Sequence, residues 1–107
     1  MSAHSHGVYA IYDRKAGYHL PLFNVPTDTD AIRQFTQIVT QSETPVSQYP
    51  ADFDLVRLGV FNITSGLIDP EVPLGLIING LVAYQDASRE RQRYAAILNP
   101  SQTGEAS

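Results

Sequence analysis

One stretch of this chain settles its fold class before anything else is weighed. Between residues 28 and 41, Ala31, Ile32, Phe35, Ile38 and Val39 recur at spacings of three and four, while Arg33, Gln34, Thr36, Gln37, Thr40 and Gln41 fall between them. Only a 3.6-residue period brings the first set onto one face, so the stretch predicts an amphipathic helix. Pro26 stops what precedes it. Thr27, Asp28, Thr29 and Asp30 then offer oxygens to the first-turn amides and negative charge to the positive end of the helix dipole. On both sides of this helix the apolar period drops to two. A lone amphipathic helix among strands buries its stripe only by lying on a sheet, which predicts an α+β domain.

Residues 7–13 (GVYAIYD) and 18–25 (YHLPLFNV) read as a hairpin whose turn closes at Gly17. Pro21 cannot donate to a ladder, so the second strand sits on an edge or carries a bulge. Residues 42–52 hold Pro45 and Pro50 without a period and read as a loop. In residues 53–62, Val56, Leu58 and Val60 form an uninterrupted apolar row, assigned to the core under the helix; the row of Leu55, Arg57, Gly59 and Phe61 then faces outward or a partner. Thr64-Ser65-Gly66 signals a turn and Leu67-Ile68 a return strand, interrupted by residues 69–73. Residues 74–84 (LGLIINGLVAY) are nearly all apolar. Gly75 and Gly80 lower their helical propensity, so a strand is preferred, with a bulge near Asn79-Gly80. Asp86 or Ser88 then caps a short final helix through Leu98, with Arg89 and Arg93 at i, i+4, and Asn99-Pro100 ends it. The expected architecture is a small antiparallel sheet of about four strands packed on one main helix, with a short C-terminal helix. It occupies residues 7–98, between frayed ends at residues 1–6 and 99–107.

A chain of 107 residues supports one such core and no large cofactor-binding fold. With no cysteine there is neither a disulfide framework nor a thiolate site. The histidines are His4, His6 and His19: the first two make an H-x-H pair short of a metal's three or four fixed ligands, and His19 has no acid nearer in sequence than Asp13. Asp28 and Asp30 are accounted for by helix capping, Asp52 and Asp54 by a solvated strand edge. The glycines follow no phosphate-loop order, and no nucleophile has a base at recognisable spacing. The reading is therefore a non-enzymatic protein without cofactor or metal. No run approaches the ~18 apolar residues of a membrane span, and the first residues lack the basic and apolar segments of an export leader, so neither export nor membrane insertion is expected.

Charge narrows the partners. Seven Lys+Arg stand against eleven Asp+Glu, and Lys15 is the sole lysine. A broad basic surface for coating a duplex is excluded, because phosphate affinity comes from cations that displace counterions. What remains is a group of aromatics interleaved with a few cations. Tyr9, Tyr12, Tyr18 and Phe61 are candidates for stacking on bases, and Arg14, Lys15, Arg33 and Arg57 for holding phosphates, the combination that binds single-stranded nucleic acid. Against this, aromatics are enriched in strands whatever their function, and a thin sheet needs several of them as core.

The segments YAIYDRKAGYHLPLF, DAIRQF, YPADFDLVRLGVFN and the following TSG, in that order, resemble the small non-structural protein of gokushoviruses, the tailless single-stranded-DNA phages of the Microviridae. The resemblance runs over residues 9–68. Leu22 stands where a second proline is frequent, and Asn62 where an aspartate is common before Thr-Ser-Gly. It implies a non-structural phage protein made in the bacterial host cytoplasm, DNA-binding, and acting in viral genome replication at the switch to single-strand synthesis. The rival reading is a protein-interaction module, a homodimer that recruits host or phage replication factors, motivated by the long apolar run at residues 74–84.

Overall fold

A computed structural model describes residues 4–98. In chain order the elements are β1 (Ser5–Asp13), β2 (Tyr18–His19), β3 (Phe23–Val25), α1 (Asp28–Gln41), α2 (Pro45–Gln48), a 3-10 turn (Pro50–Asp52), β4 (Phe53–Asn62), β5 (Ile68–Asn79) and α3 (Gly80–Leu98). The five strands form one antiparallel sheet in the order β2-β1-β4-β5, with β3 pairing farther along the same edge of β1 as β2. The fold is α+β, as the helix and strand periods require. β1 starts at Ser5, so part of the expected frayed N-terminus is a strand; the expected tail at residues 99–107 lies outside the described residues.

The two hairpin turns are built alike. Asp13 Oδ1 accepts from the amides of Lys15 and Ala16, each at 3.0 Å, and Gly17 N–H closes on Asp13 O at 2.8 Å. Asn62 Oδ1 accepts from Thr64 and Ser65 at 2.9 and 3.0 Å, and Gly66 N–H closes on Asn62 O at 2.8 Å. Gly17 and Gly66 sit at φ of 79° and 80°, a left-handed conformation that costs glycine nothing. Asp and Asn are interchangeable at the head of this turn because only the side-chain oxygen is used. Pro21 acts as its missing N–H dictates: the second hairpin strand breaks into β2 and β3, both on the sheet edge.

α1 has the expected bounds. Thr27 is its N-cap, its hydroxyl accepting from Asp30 N at 3.2 Å, and Ala31, Phe35 and Val39 are its buried stripe. That stripe lies on Tyr9, Ile11, Phe53 and Leu55, with Val46 of α2 and Ala83 of α3 completing the core. The face assigned to β4 is therefore corrected: the Phe53, Leu55, Arg57 row lies under the helices, and Val56 faces away. A bulge also splits the row that the alternation joins, putting Val60 on the opposite face from Val56. Gly59 pairs with Val8 and Arg57 with Tyr9, so Leu58 has no opposite residue and the alternation slips by one.

α3 also begins earlier than expected. Asn79 ends β5 and caps the helix, accepting from Leu81 N at 2.9 Å while its amide donates to Ala51 O, Phe53 O and Asp54 Oδ1. The predicted caps Asp86 and Ser88 lie inside the helix. Gly80 is required here by space: a Cβ on it would come within 2.2 Å of Pro50 O, a backbone atom with no rotamer to retreat into. No helix among the described residues is long and apolar enough to cross a membrane.

Gly80→Ala sets two effects against each other. Helix propensity favours alanine by at most about 1 kcal/mol, whereas displacing the 3-10 turn costs roughly 1–3 kcal/mol as overpacking. Urea denaturation should show a net loss of stability; a more stable variant would mean that the Pro50 turn yields freely.

Candidate nucleic-acid interface

Of the eight residues singled out by sequence, four lie in the β1–β2 hairpin, two in the Arg57 cluster, and two stand apart. Arg14, Lys15, Tyr12 and Tyr18 all belong to the β1–β2 hairpin, Tyr12 on the sheet face turned away from the helices and Tyr18 on the face toward them. Arg14 and Lys15 occupy its turn, Tyr12 lies opposite His19 and Asp13 opposite Tyr18. The Tyr12 ring tilts on the His19 ring, centroids 4.7 Å apart. Tyr18 is 59% exposed. The Arg14 guanidinium donates from Nη2 to Ala51 O and pairs through Nε with Asp54 at 3.5 Å, yet the side chain stays 51% exposed. Lys15 is exposed and makes no ion pair among the described residues.

Tyr9 and Arg57 are corrected as contact residues. The Tyr9 ring is 0% exposed, stacked on Phe23 at 5.8 Å, because β1 turns it toward α1. No base reaches a ring in that position. Arg57 pairs with Tyr9 across the sheet and shares its face. Its Nε and Nη2 donate to the two oxygens of Glu71 at 2.6 and 3.3 Å, and Nη1 donates to Asp28 Oδ2 at 2.7 Å. Asp28 also accepts from the Tyr9 hydroxyl. A guanidinium gripped by two carboxylates has its charge already answered. Phe61 is half-buried near the far end of β4, opposite His6 and Ile68, and Arg33 is exposed on α1; neither joins the hairpin group.

Several residues that shape the site were assigned other roles or none by the sequence. His19, read as a solvated strand residue, lies against Tyr12. Asp54 and Asn79 fix the foot of the hairpin turn through Arg14 and Ala51. A cavity of about 480 Å³ opens beside Tyr18, between the hairpin and the two helices α1 and α2, floored by Ile11, Leu20, Phe23, Ile38 and Val46. On α3, Arg89 pairs with Asp86 and Arg93 with Glu90, while Arg91 has no ion pair among the described residues. His4 and His6, considered as a metal pair, bond instead to Thr64 and Asn24 at 3.3 and 3.1 Å. Among the described residues no group of three or more acids and histidines is placed to hold a metal ion.

The phage ORF5 protein family matches residues 6–84. The chain is 36% identical over 73 residues to Protein ORF5 of Chlamydia phage 1, a gokushovirus of the Microviridae, covering 64% of this chain and 75% of that protein. The family match extends past residue 68, where the motifs legible in the sequence stop, through β5 to the start of α3. No solved structure matches.

The cluster around Arg57 makes stability depend on pH. Burial alone would raise the Asp28 carboxyl, but hydrogen bonds from Tyr9 and Arg57 and the Arg57 charge outweigh it and hold it below its ordinary 3.8. Burial, then the bond to Asp28, pushes the Tyr9 hydroxyl well up. Bonds to Glu71 and Asp28 keep Arg57 protonated. A carboxyl lowered on folding lends stability that is fully present above its unfolded value and is lost as pH falls through the folded one. Asp28→Asn lacks this titration. Its melting temperature should therefore lie below the parent's at neutral pH, and the gap should close below about pH 4. A gap unchanged down to pH 2 in scanning calorimetry would show that another group carries the acid sensitivity.

Proposed function

The chain belongs to the phage ORF5 protein family, and from that premise we propose that it is a non-enzymatic protein that binds single-stranded DNA during viral genome replication in the bacterial host cytoplasm. The β1–β2 hairpin is the gripping element. One observation carries this reading: two exposed cations, Arg14 and Lys15, stand in a turn flanked on the helix side of the sheet by the exposed Tyr18 ring and on the other side by Tyr12 and His19. A ring stacks on any base, and an adjacent cation holds the phosphate beside it. The turn supports this use, because the Asp13 bonds and Gly17 fix its backbone before a ligand arrives, which lowers the ordering cost of binding. The apolar cavity beside Tyr18 gives a splayed base somewhere to lie out of water.

An acidic chain using so few cations binds weakly and with a shallow salt dependence. In a fluorescent oligonucleotide titration at low salt, Tyr18→Ala should weaken binding by about 5- to 100-fold, the loss of one stacked base. Replacing Arg14 and Lys15 together by alanine should reduce the log–log salt slope by about 1.4, since each single-strand phosphate contact adds roughly 0.7. Arg57→Ala, compared at a temperature where it stays folded, should leave the affinity unchanged. Equal affinity for the parent, the Tyr18 variant and the double variant would remove the hairpin from the site.

A further inference from the structure

β5 is the last strand on its side of the sheet, so along one edge its peptide groups face no other strand among the described residues. Such an edge is a template for another strand, and proteins usually guard it with charge. Here the guard is missing. Residues 72–85 contain no Asp, Glu, Lys or Arg, in a chain where 17% of residues are charged. Pro70 and Pro73 blunt only the first half of β5, leaving residues 74–79 free to pair. The side chains agree with the backbone: Val72, Leu74 and Leu76 on the strand, and Leu81, Val82 and Tyr84 at the start of α3, are all between 40 and 87% exposed.

We infer that this edge is where two copies of the chain meet, β5 pairing antiparallel with β5 of the second copy about a two-fold axis near Leu76. Three arguments favour a second copy over a different protein. Antiparallel pairing of one edge with itself satisfies the same donors and acceptors on both chains, as an isologous interface demands. A chain of formal net charge -4 repels its own copy wherever its acids face each other, and the uncharged stretch of residues 72–85 is a surface where that repulsion is absent. Finally, the patch is large. Val72, Leu74 and Leu76 on one side of the edge and Leu81, Val82 and Tyr84 on the helix side together present on the order of 500 Å², the size of patch that marks an interaction site and more than half of the roughly 800 Å² per partner of a standard interface.

Joining the edges carries the sheet across both chains. Leu76 lies beside Val56, on the face turned away from the helices, so the pairing also extends the apolar strip of Val8, Ala10 and Val56 into the second copy. Lys15, in the β1–β2 turn, stays clear of the joint, while the Arg14 guanidinium shares Ala51 O with Asn79 at the very end of β5, away from the axis at Leu76.

The test is sedimentation of the full chain from about 1 to 100 μM. The parent should sediment at twice its 11.8 kDa. Leu76→Lys, which places two ammonium groups near the axis, should dissociate at least tenfold more readily with an unchanged circular dichroism spectrum. Because the chain has no cysteine, Leu76→Cys with a short bismaleimide gives a second reading that survives any folding defect in the lysine variant. It should cross-link to a dimer, whereas Arg33→Cys on α1 should not. A parent that stays monomeric throughout overturns the proposal and leaves the edge to a strand from another protein. A dimer that resists Leu76→Lys, or that Leu76→Cys fails to cross-link, places the joint elsewhere and overturns it equally.

Discussion

Everything in this small sheet is arranged around one guanidinium. Arg57 lies in the row of β4 that faces the helices, between an aromatic neighbour on β1 and a carboxylate from β5, with the first residue of α1 closing over it. A charge in that position is tolerated only when its hydrogen-bonding groups are matched in place. Asp28 and Glu71 do this, and Tyr9 gives up its hydroxyl to Asp28. Four elements are thereby tied at one point: β1, α1, β4 and β5. The apolar stripe of α1 decides that the helix lies on the sheet, and the Arg57 cluster decides where its N-terminus comes to rest.

The same cluster explains why part of the candidate site was legible in the sequence and part was not. Arg14, Lys15, Tyr12 and Tyr18 are near neighbours along the chain, and the turn that gathers them is written locally in Asp13 and Gly17. Tyr9 and Arg57 have roles that depend on Asp28 and Glu71, which no local pattern joins to them. The face of β4 is not fixed by alternation, because both of its rows carry apolar residues at positions 53–57 and the bulge at Leu58 leaves no mark on the pattern. The run at residues 74–84 is apolar on every side, so its period does not separate strand from helix. The signal that does is Asn79, a good cap placed directly before Gly80. Helix α1 and the two hairpins, whose determinants are local, lie where their residues place them.

The family match covers the whole sheet and α1 but ends in the first turns of α3. Shared ancestry therefore extends to the framework that carries the hairpin, the Arg57 cluster and the bare edge of β5. Beyond it, α3 runs on with Arg89, Arg91 and Arg93 outside the matched stretch. Two of these are engaged by acids one turn away on the same helix. The chain thus keeps most of its positive charge occupied.

The central position of β1 has a consequence for how the molecule is made. Its ladder partner on the inner side is β4, and residues 9 and 57 lie opposite one another. At about 5 to 20 residues per second, the ribosome delivers that partner roughly 2 to 10 s after β1. During this interval the nascent apolar strand has first β2 and β3, within its own hairpin, and then α1 to shelter it. The early proline-broken hairpin is thus a temporary cover for the sheet's centre, in place before the rest of the protein exists.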